Sequence, residues 1–316
     1  MNHVLALCGG VGGAKLAHGL AAVLGEDELT IVVNTGDDFE HLGLAISPDI
    51  DTVLYTLSGL ADRERGWGRA GETWGFMAAL EALGGETWFN LGDHDLAMHV
   101  ERTRRLAGGA SLSEVTAAFA RAMAIRPAVV PMSDDPVRTT IDTDTGPLSF
   151  QHYFVRERCA PVARSIRYEG AATARPSAGF GAALRRKDLA AIIICPSNPY
   201  LSIDPILGLA GVREALGEAG APIVAVSPIV GGQAIKGPAA KLMGELGVQP
   251  AAAAIAAHYR GLIHGLVLDI RDEAERGAVE ATGVRALAVP SVMRSDADRA
   301  ALARDCLAFA RRLADG

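Results

Sequence analysis

Four glycines in the run Leu5-Ala6-Leu7-Cys8-Gly9-Gly10-Val11-Gly12-Gly13-Ala14-Lys15 join an apolar, strand-like segment to a helix-like one. A residue without Cβ accepts positive φ and lets an anion approach the main chain. A helix expected over Ala14 to Leu24 would add unpaired N–H groups and the positive end of its dipole. Gly9, Gly10, Gly12, Gly13 and Lys15 are therefore expected to bind a nucleotide or phosphoester. The spacing is not that of the dinucleotide fingerprint, because Gly13-Ala14-Lys15 stands where a third glycine belongs, nor that of a Walker loop, which needs Gly-Lys-Ser/Thr. The structural alternative is a tight strand-to-helix turn with no ligand.

Other chemically capable groups fall where further strands should end. Asp37 and Asp38, with Asp49 and Asp51 a dozen residues on, could hold a magnesium ion, whose hard charge prefers carboxylate and phosphate oxygens together; Asp49 or Asp51 would equally cap a helix opening at Thr52. Ser197, Asn198 and Ser202 offer hydroxyl and amide donors suited to phosphate oxygens or a base edge, although Ser and Asx turns beside prolines are common structural devices. Lys236 could reach a diphosphate, and a solvent-facing lysine is the plainer reading. His94 and His99 lie five apart, not the four that puts two histidines on one helical face for zinc, so Asp93 or Asp95 reads as a cap and His99 as packing. Trp67, Glu72 and Trp74 occupy a glycine-bounded loop that could stack a flat ring or simply anchor itself to the core.

The elements that must position these groups alternate. Strand-length apolar runs at His3–Cys8, Leu29–Asn34, Ala190–Cys195, Ile223–Val226, Gly265–Ile270 and Arg285–Val289 are separated by helical patterns, which predicts an α/β fold: a Rossmann-like parallel sheet covered by helices on both faces. Ligands of such sheets gather outside the carboxyl ends of the strands, where the polar loops named above lie. Residues 1–51 and 185–316 read as the nucleotide-binding core. Residues 52–184 read as an inserted cap of helices and a β-hairpin around Asp144-Thr145-Gly146-Pro147, with one continuous unit as the alternative.

The composition bounds the function. A chain of 316 residues, 49% hydrophobic and 21% charged, can bury a large core, and its net charge of -7 without a dense basic run opposes a nucleic-acid surface. Cys8, Cys159, Cys195 and Cys306 form no Cys-x-x-Cys pair, which suggests a reducing cytoplasm. No apolar run approaches the ~20 residues that span a bilayer, and no basic region precedes a hydrophobic leader, so a soluble, unprocessed protein is expected.

Taken together, the chain resembles the 2-phospho-L-lactate transferase family, whose members build the deazaflavin coenzyme F(420). The resemblance rests on Gly9–Lys15, Val33–Asp38, Pro48–Tyr55, Gly66-Trp67-Gly68 with Glu72-Thr73-Trp74, Leu91-Gly92-Asp93, Ser133-Asp134-Asp135, Ser197-Asn198-Pro199 with Ser202, and Ser227–Gly232 with Lys236-Gly237-Pro238. It implies a phosphotransferase assisted by Mg²⁺. The ribityl hydroxyl of 7,8-didemethyl-8-hydroxy-5-deazariboflavin would attack the phosphate that carries the small acid of a guanosine diphospho-acid and expel GMP. By the family's pattern the glycine loop and the Ser197-Asn198 loop take the guanosine diphosphate. Asp51 and position 90, here Asn90 where relatives often carry a basic residue, meet the deazaflavin, with Trp67 and Trp74 nearby. Asp37 or Asp38 would hold the metal, and Asp51 would orient or deprotonate the hydroxyl, with Asp38 the second candidate for catalysis. The expected partners are thus the deazaflavin and a guanylated acid, with neither nucleic acid nor membrane, and homodimer formation stays open. A nicotinamide- or flavin-linked oxidoreductase is opposed by the missing third glycine and by Asn34 where an acid should end the second strand. The remaining alternative is a non-catalytic nucleotide or sugar-phosphate-binding regulator of the same superfamily.

Overall fold

The computed structural model of the chain describes residues 3–235 and 237–315. Along the chain, β1 (His3–Cys8) leads into α1 (Gly10–Val23), β2 (Leu29–Val33), the small hairpin β3 (Phe39–His41) and β4 (Leu44–Ile46), and α2 (Pro48–Leu57). Then come α3 (Gly75–Ala82), α4 (Asp93–Ala107), α5 (Leu112–Ala122), β5 (Ala128–Pro131), β6 (Arg138–Thr143), β7 (Gly146–Ser149), β8 (Ala163–Glu169) and α6 (Ala178–Leu184). The remainder is β9 (Leu189–Ile194), α7 (Asp204–Leu207), α8 (Val212–Glu218), β10 (Ile223–Val226), β11 (Ile229–Val230), β12 (Gln233–Ala234), α9 (Ala239–Glu245), α10 (Ala252–His258), β13 (Gly265–Asp269), α11 (Arg276–Glu280), β14 (Arg285–Val289) and α12 (Asp296–Ala314).

Seven strands form one parallel sheet in the order β14-β13-β10-β9-β1-β2-β5. Both faces are covered, which is why its central strands are apolar throughout rather than alternating. Val4, Ala6 and Cys8 pack with α1, α2, α5 and α12, while Leu5 and Leu7 pack with α6, α7, α8 and α10 on the other side. The expected strands all lie in this sheet. The seventh, β5, comes from within residues 52–184, so that segment joins the core as well as elaborating it. Its four residues Ala-Val-Val-Pro are too short to signal a strand, and a proline is tolerated there because β5 is an edge. The hairpin around Gly146 extends to a third strand, β8, and beyond β7 the chain coils at His152–Arg156 into a π-helical turn.

The register decides where ligands can sit. Cys8 pairs with Val33, Leu7 with Ile194, and Val33 with Pro131, so the loops leaving these strands share one rim. The chain runs from β1 to β2 and β5 in one direction and from β9 through β14 in the other. The strand order therefore reverses between β1 and β9, where a crevice must open.

Candidate active site

A cavity of about 620 Å³ occupies that crevice. On one wall stand Gly9, Gly10, Val11 and Gly12 from the start of α1, with Pro196, Ser197 and Asn198 from the loop after β9. Helix α1 begins at Gly10, not at the expected Ala14, so the glycines are the helix's first turn. Gly10 adopts φ +64°, open to glycine and costly to other residues. The other glycines serve close packing. A Cβ on Gly12 would stand 2.4 Å from the Pro196 carbonyl oxygen, and one on Gly13 2.4 Å from Ser197 Oγ. A Cβ on Gly9 would meet both Asp49 and Ser202.

Two of the amides expected to be bare are taken by the protein itself: Gly9 N–H donates to Ser197 Oγ (3.1 Å) and Gly10 N–H to Asp49 Oδ1 (2.6 Å). Val11 and Gly12 remain on the cavity wall, whereas Gly13 is buried beneath Ser197. Lys15 lines the cavity and its Nζ donates to the Met293 carbonyl (3.2 Å). Asn198 caps the following π-helical turn by accepting the Tyr200 and Leu201 amides at 3.0 and 3.1 Å, while its Nδ2 is buried without a partner among the described residues. That leaves one donor on the wall for a ligand oxygen. Ser202 lines the same wall; Lys236 lies outside the described residues.

A cluster of carboxylates faces this loop. Asn34 Nδ2 donates to Asp49 Oδ2 (2.9 Å) and Asp37 Oδ1 (3.3 Å), so one amide bridges two acids. Both are buried and line the cavity. Burial, with the neighbouring acids, holds the Asp37 carboxyl well above its ordinary range, and burial lifts Asp49 to about 6 in spite of its hydrogen bonds. Two acids raised for want of a counter-charge are a donor set that fits a hard divalent cation. Asp38 does not share that wall. It faces a second cavity of about 230 Å³, and its Oδ2 accepts the Ser47 hydroxyl (2.8 Å), which steadies the residue before α2. The pair that faces the glycine loop is accordingly Asp37 with Asp49, because successive residues of the turn after β2 point apart.

The third wall is Asp51, in the first turn of α2 and not a cap before it. Both its oxygens meet the Arg102 guanidinium, with Nη1 at 3.2 Å from Oδ2 and Nη2 on Oδ1. His99 Nδ1 is 3.7 Å from Asp51, and His99 Nε2 is 3.1 Å from Asp95, which also accepts the Tyr55 hydroxyl at 2.5 Å. Burial pushes the Asp51 carboxyl up while Arg102 and His99 pull it down, and the balance stays above the ordinary value. Asp51, Asp95 and His99 could converge on a metal ion, but the fixed guanidinium on Asp51 opposes a divalent cation there. The sequence marks Asp95 only as a helix cap and Tyr55 only as the end of the Pro48–Tyr55 motif, and does not single out Arg102. Asp95, His99 and Arg102 follow the i, i+4, i+7 spacing of one helical face, the signal in the sequence that groups them.

The mouth is apolar. Trp67, nearly half exposed, lines it with Phe89, Phe150 and Phe154, the last two stacked at 5.4 Å, and Asn90 lines the same cavity. Trp74 does not reach the cavity; it packs with Met77 and Leu91, and Arg65 bridges the two tryptophans with its guanidinium carbon 5.1 Å from the Trp67 ring and 4.9 Å from Trp74. The loop is pinned by exchanged caps. Glu72 accepts the amides of His94 and Asp95, and Asp93 accepts those of Gly75 and Phe76, so Asp93 caps the helix before its own.

No helix among the described residues is long and apolar enough to cross a membrane. Comparison with solved structures returns a UPF0052-family protein of Bacillus halodurans with a TM-score of 0.63 over 97% of this chain and 98% of that one, at 15% identity, a likeness of fold. In sequence the chain is 43% identical to a phosphoenolpyruvate transferase of Kitasatospora aureofaciens, covering 99% of each. It is 41% identical to another of Streptomyces griseus (98% of this chain, 99% of the relative) and 39% identical to a 2-phospho-L-lactate transferase of Methanosarcina mazei (91% and 93%). The family description 2-phospho-L-lactate transferase CofD matches residues 4–296. Nothing in these likenesses favours a non-catalytic regulator, and the chain belongs to the 2-phospho-L-lactate transferase family, a family of phosphotransferases.

Proposed function

We propose that the chain transfers a phospho-acid moiety from a guanosine diphospho-acid to the ribityl hydroxyl of 7,8-didemethyl-8-hydroxy-5-deazariboflavin, releasing GMP, in coenzyme F(420) biosynthesis. The carrying observation is that one cavity is lined both by the glycine-rich first turn of α1 with the Ser197-Asn198 loop and by Asp51 with Trp67, Phe150 and Phe154. Phosphoryl transfer asks mainly for positioning and charge neutralisation of two oxygens in line, and this arrangement supplies backbone and amide donors to one and a fixed carboxylate to the other. In the transfer, the bond from the ribityl oxygen to phosphorus forms and the bond from phosphorus to GMP breaks. Asp51, already gripped on both oxygens, keeps the lone pairs not used by Arg102 for the incoming hydroxyl, whose proton it accepts or directs. Asp37 and Asp49 are the residues that would hold Mg²⁺, which when bound supplies charge neutralisation at the diphosphate. Asp38 supports them by fixing Ser47. Trp67, Phe150 and Phe154 offer flat faces to the tricyclic ring. The reaction is assigned to the cytoplasm, a reading supported by the unpaired, buried Cys8, Cys195 and Cys306.

The test is a product assay by mass spectrometry with deazaflavin, Mg²⁺ and the guanylated forms of phospholactate, phosphoenolpyruvate and 3-phosphoglycerate, each in turn. Asp51→Asn should cut turnover at least ~100-fold with the fold intact, the lower scale of general-base catalysis. Near-normal turnover of that variant removes Asp51 from the mechanism, and no product with any of the three acids removes the function.

A further inference from the structure

Arg102 is the largest side chain buried to under 2% exposure, and it does not line the cavity. A guanidinium is expensive to bury, and an apolar residue of its size would hold α4 against the core at lower cost. Its contacts show what it holds instead. The fork closes on both oxygens of Asp51, Nη1 also donates to the Ala45 carbonyl (3.3 Å) and lies 3.2 Å from His99 Nδ1, and the Phe119 ring stands 5.8 Å from the guanidinium carbon. Strand β4 and helices α4 and α5 therefore fix the guanidinium, and the guanidinium fixes the carboxylate. On the cavity side, His99 and Asp95 with Tyr55 complete the surround of Asp51.

We infer that Arg102 is a positioning residue for the transfer: it aims the Asp51 carboxylate at the acceptor hydroxyl from behind the cavity wall and acts on turnover through Asp51 alone. This rests on the acceptor-side role of Asp51 stated above. A lysine at the same place offers a point charge without the planar fork, so charge alone should not restore the aim.

The experiment compares Arg102→Lys, Arg102→Met, Asp51→Asn and the double variant Asp51→Asn/Arg102→Met, each assayed for GMP release well below its own melting temperature. Arg102→Lys should lower kcat by about 10- to 100-fold, the scale of an ångström's misplacement, with KM for the guanylated acid unchanged. Arg102→Met should lose at least as much, and the double variant should be within about threefold of Asp51→Asn, because nothing remains for Arg102 to aim. A purely architectural role would depress both backgrounds alike. Losses that multiply in the double variant, or wild-type kcat in Arg102→Lys, would overturn the inference while leaving the Asp51 assignment standing. Should Arg102→Met fail to fold, Arg102→Lys and Asp51→Asn/Arg102→Lys carry the same comparison. Undiminished turnover in Asp51→Asn alone would instead sink the reading on which the inference rests.

Discussion

Replacing Asp38 by Asn should stabilise the protein at alkaline pH and leave it unchanged in acid. Asp38 is 8% exposed, its Oδ1 is buried without a partner among the described residues, and burial lifts its carboxyl from 3.8 to about 7 in spite of the Ser47 hydroxyl, Arg138 and Arg102. A carboxyl raised in the folded state binds protons there that it has already lost in the unfolded chain. Its contribution to stability is thus intact below pH ~4, falls as pH rises between ~4 and ~7, and is fully lost above. Three units correspond to an expected gain of about 4 kcal/mol at pH 8, a figure already net of the attraction to Arg138 and Arg102. Asn retains an oxygen to accept the Ser47 hydroxyl but cannot ionise. For a chain of 316 residues the gain is a rise in Tm of roughly 6 °C. Paired melts of wild type and variant at pH 8 and pH 4.5 in metal-free buffer give the answer. A variant no more stable at pH 8, or one stabilised equally at both pH values, would show that Asp38 carries no burial penalty and that the charge reasoning applied to its neighbours Asp37 and Asp49 is unsound.

Two further outcomes follow from the cavity walls. Gly12→Ala brings a methyl within 2.4 Å of the Pro196 carbonyl, a backbone atom that cannot swing aside, so it should cost about 1–3 kcal/mol by overpacking and weaken GDP binding at least tenfold by calorimetry, since the two loops it pries apart form the donor wall. Unaltered affinity would mean that the nucleotide lies elsewhere. Trp67→Ala removes an exposed aromatic from the mouth and should raise KM for the deazaflavin roughly tenfold, within the ~1–3 kcal/mol of a stacked ring, without changing KM for the guanylated acid; a change confined to the guanylated acid would place the ring system on the wrong wall.

The parallel sheet was legible because a strand buried on both faces must be apolar along its length, and six such runs stand out. β5 was not, since an edge strand of four residues has no pattern to detect. The glycine run announced a ligand turn, yet its reasons differ from those inferred: the close approaches are to Pro196 O, Ser197 and Asp49, residues up to 188 positions away, and Gly9 and Gly10 spend their amides on protein partners. Among the acids, adjacency suggested Asp37 with Asp38, whereas the turn after β2 sends them to different cavities and Asn34 joins Asp37 to Asp49 instead. Trp67 and Trp74 divided in the same way, one to the mouth and one to the core.

What the sequence determined by itself was everything set by local periodicity and residue chemistry: the strand-helix alternation, the glycine turn, the stock of carboxylates and the family to which their order points. Which carboxylates face one another was settled only by tertiary structure. The pairing of Asp51 with Arg102, 51 residues apart, exists because α4, packed on β4 and α5, lets the long side chain of Arg102 in its third turn reach the first turn of α2. Helical spacing constrains neighbours within an element, and only packing between elements puts a buried guanidinium behind a carboxylate.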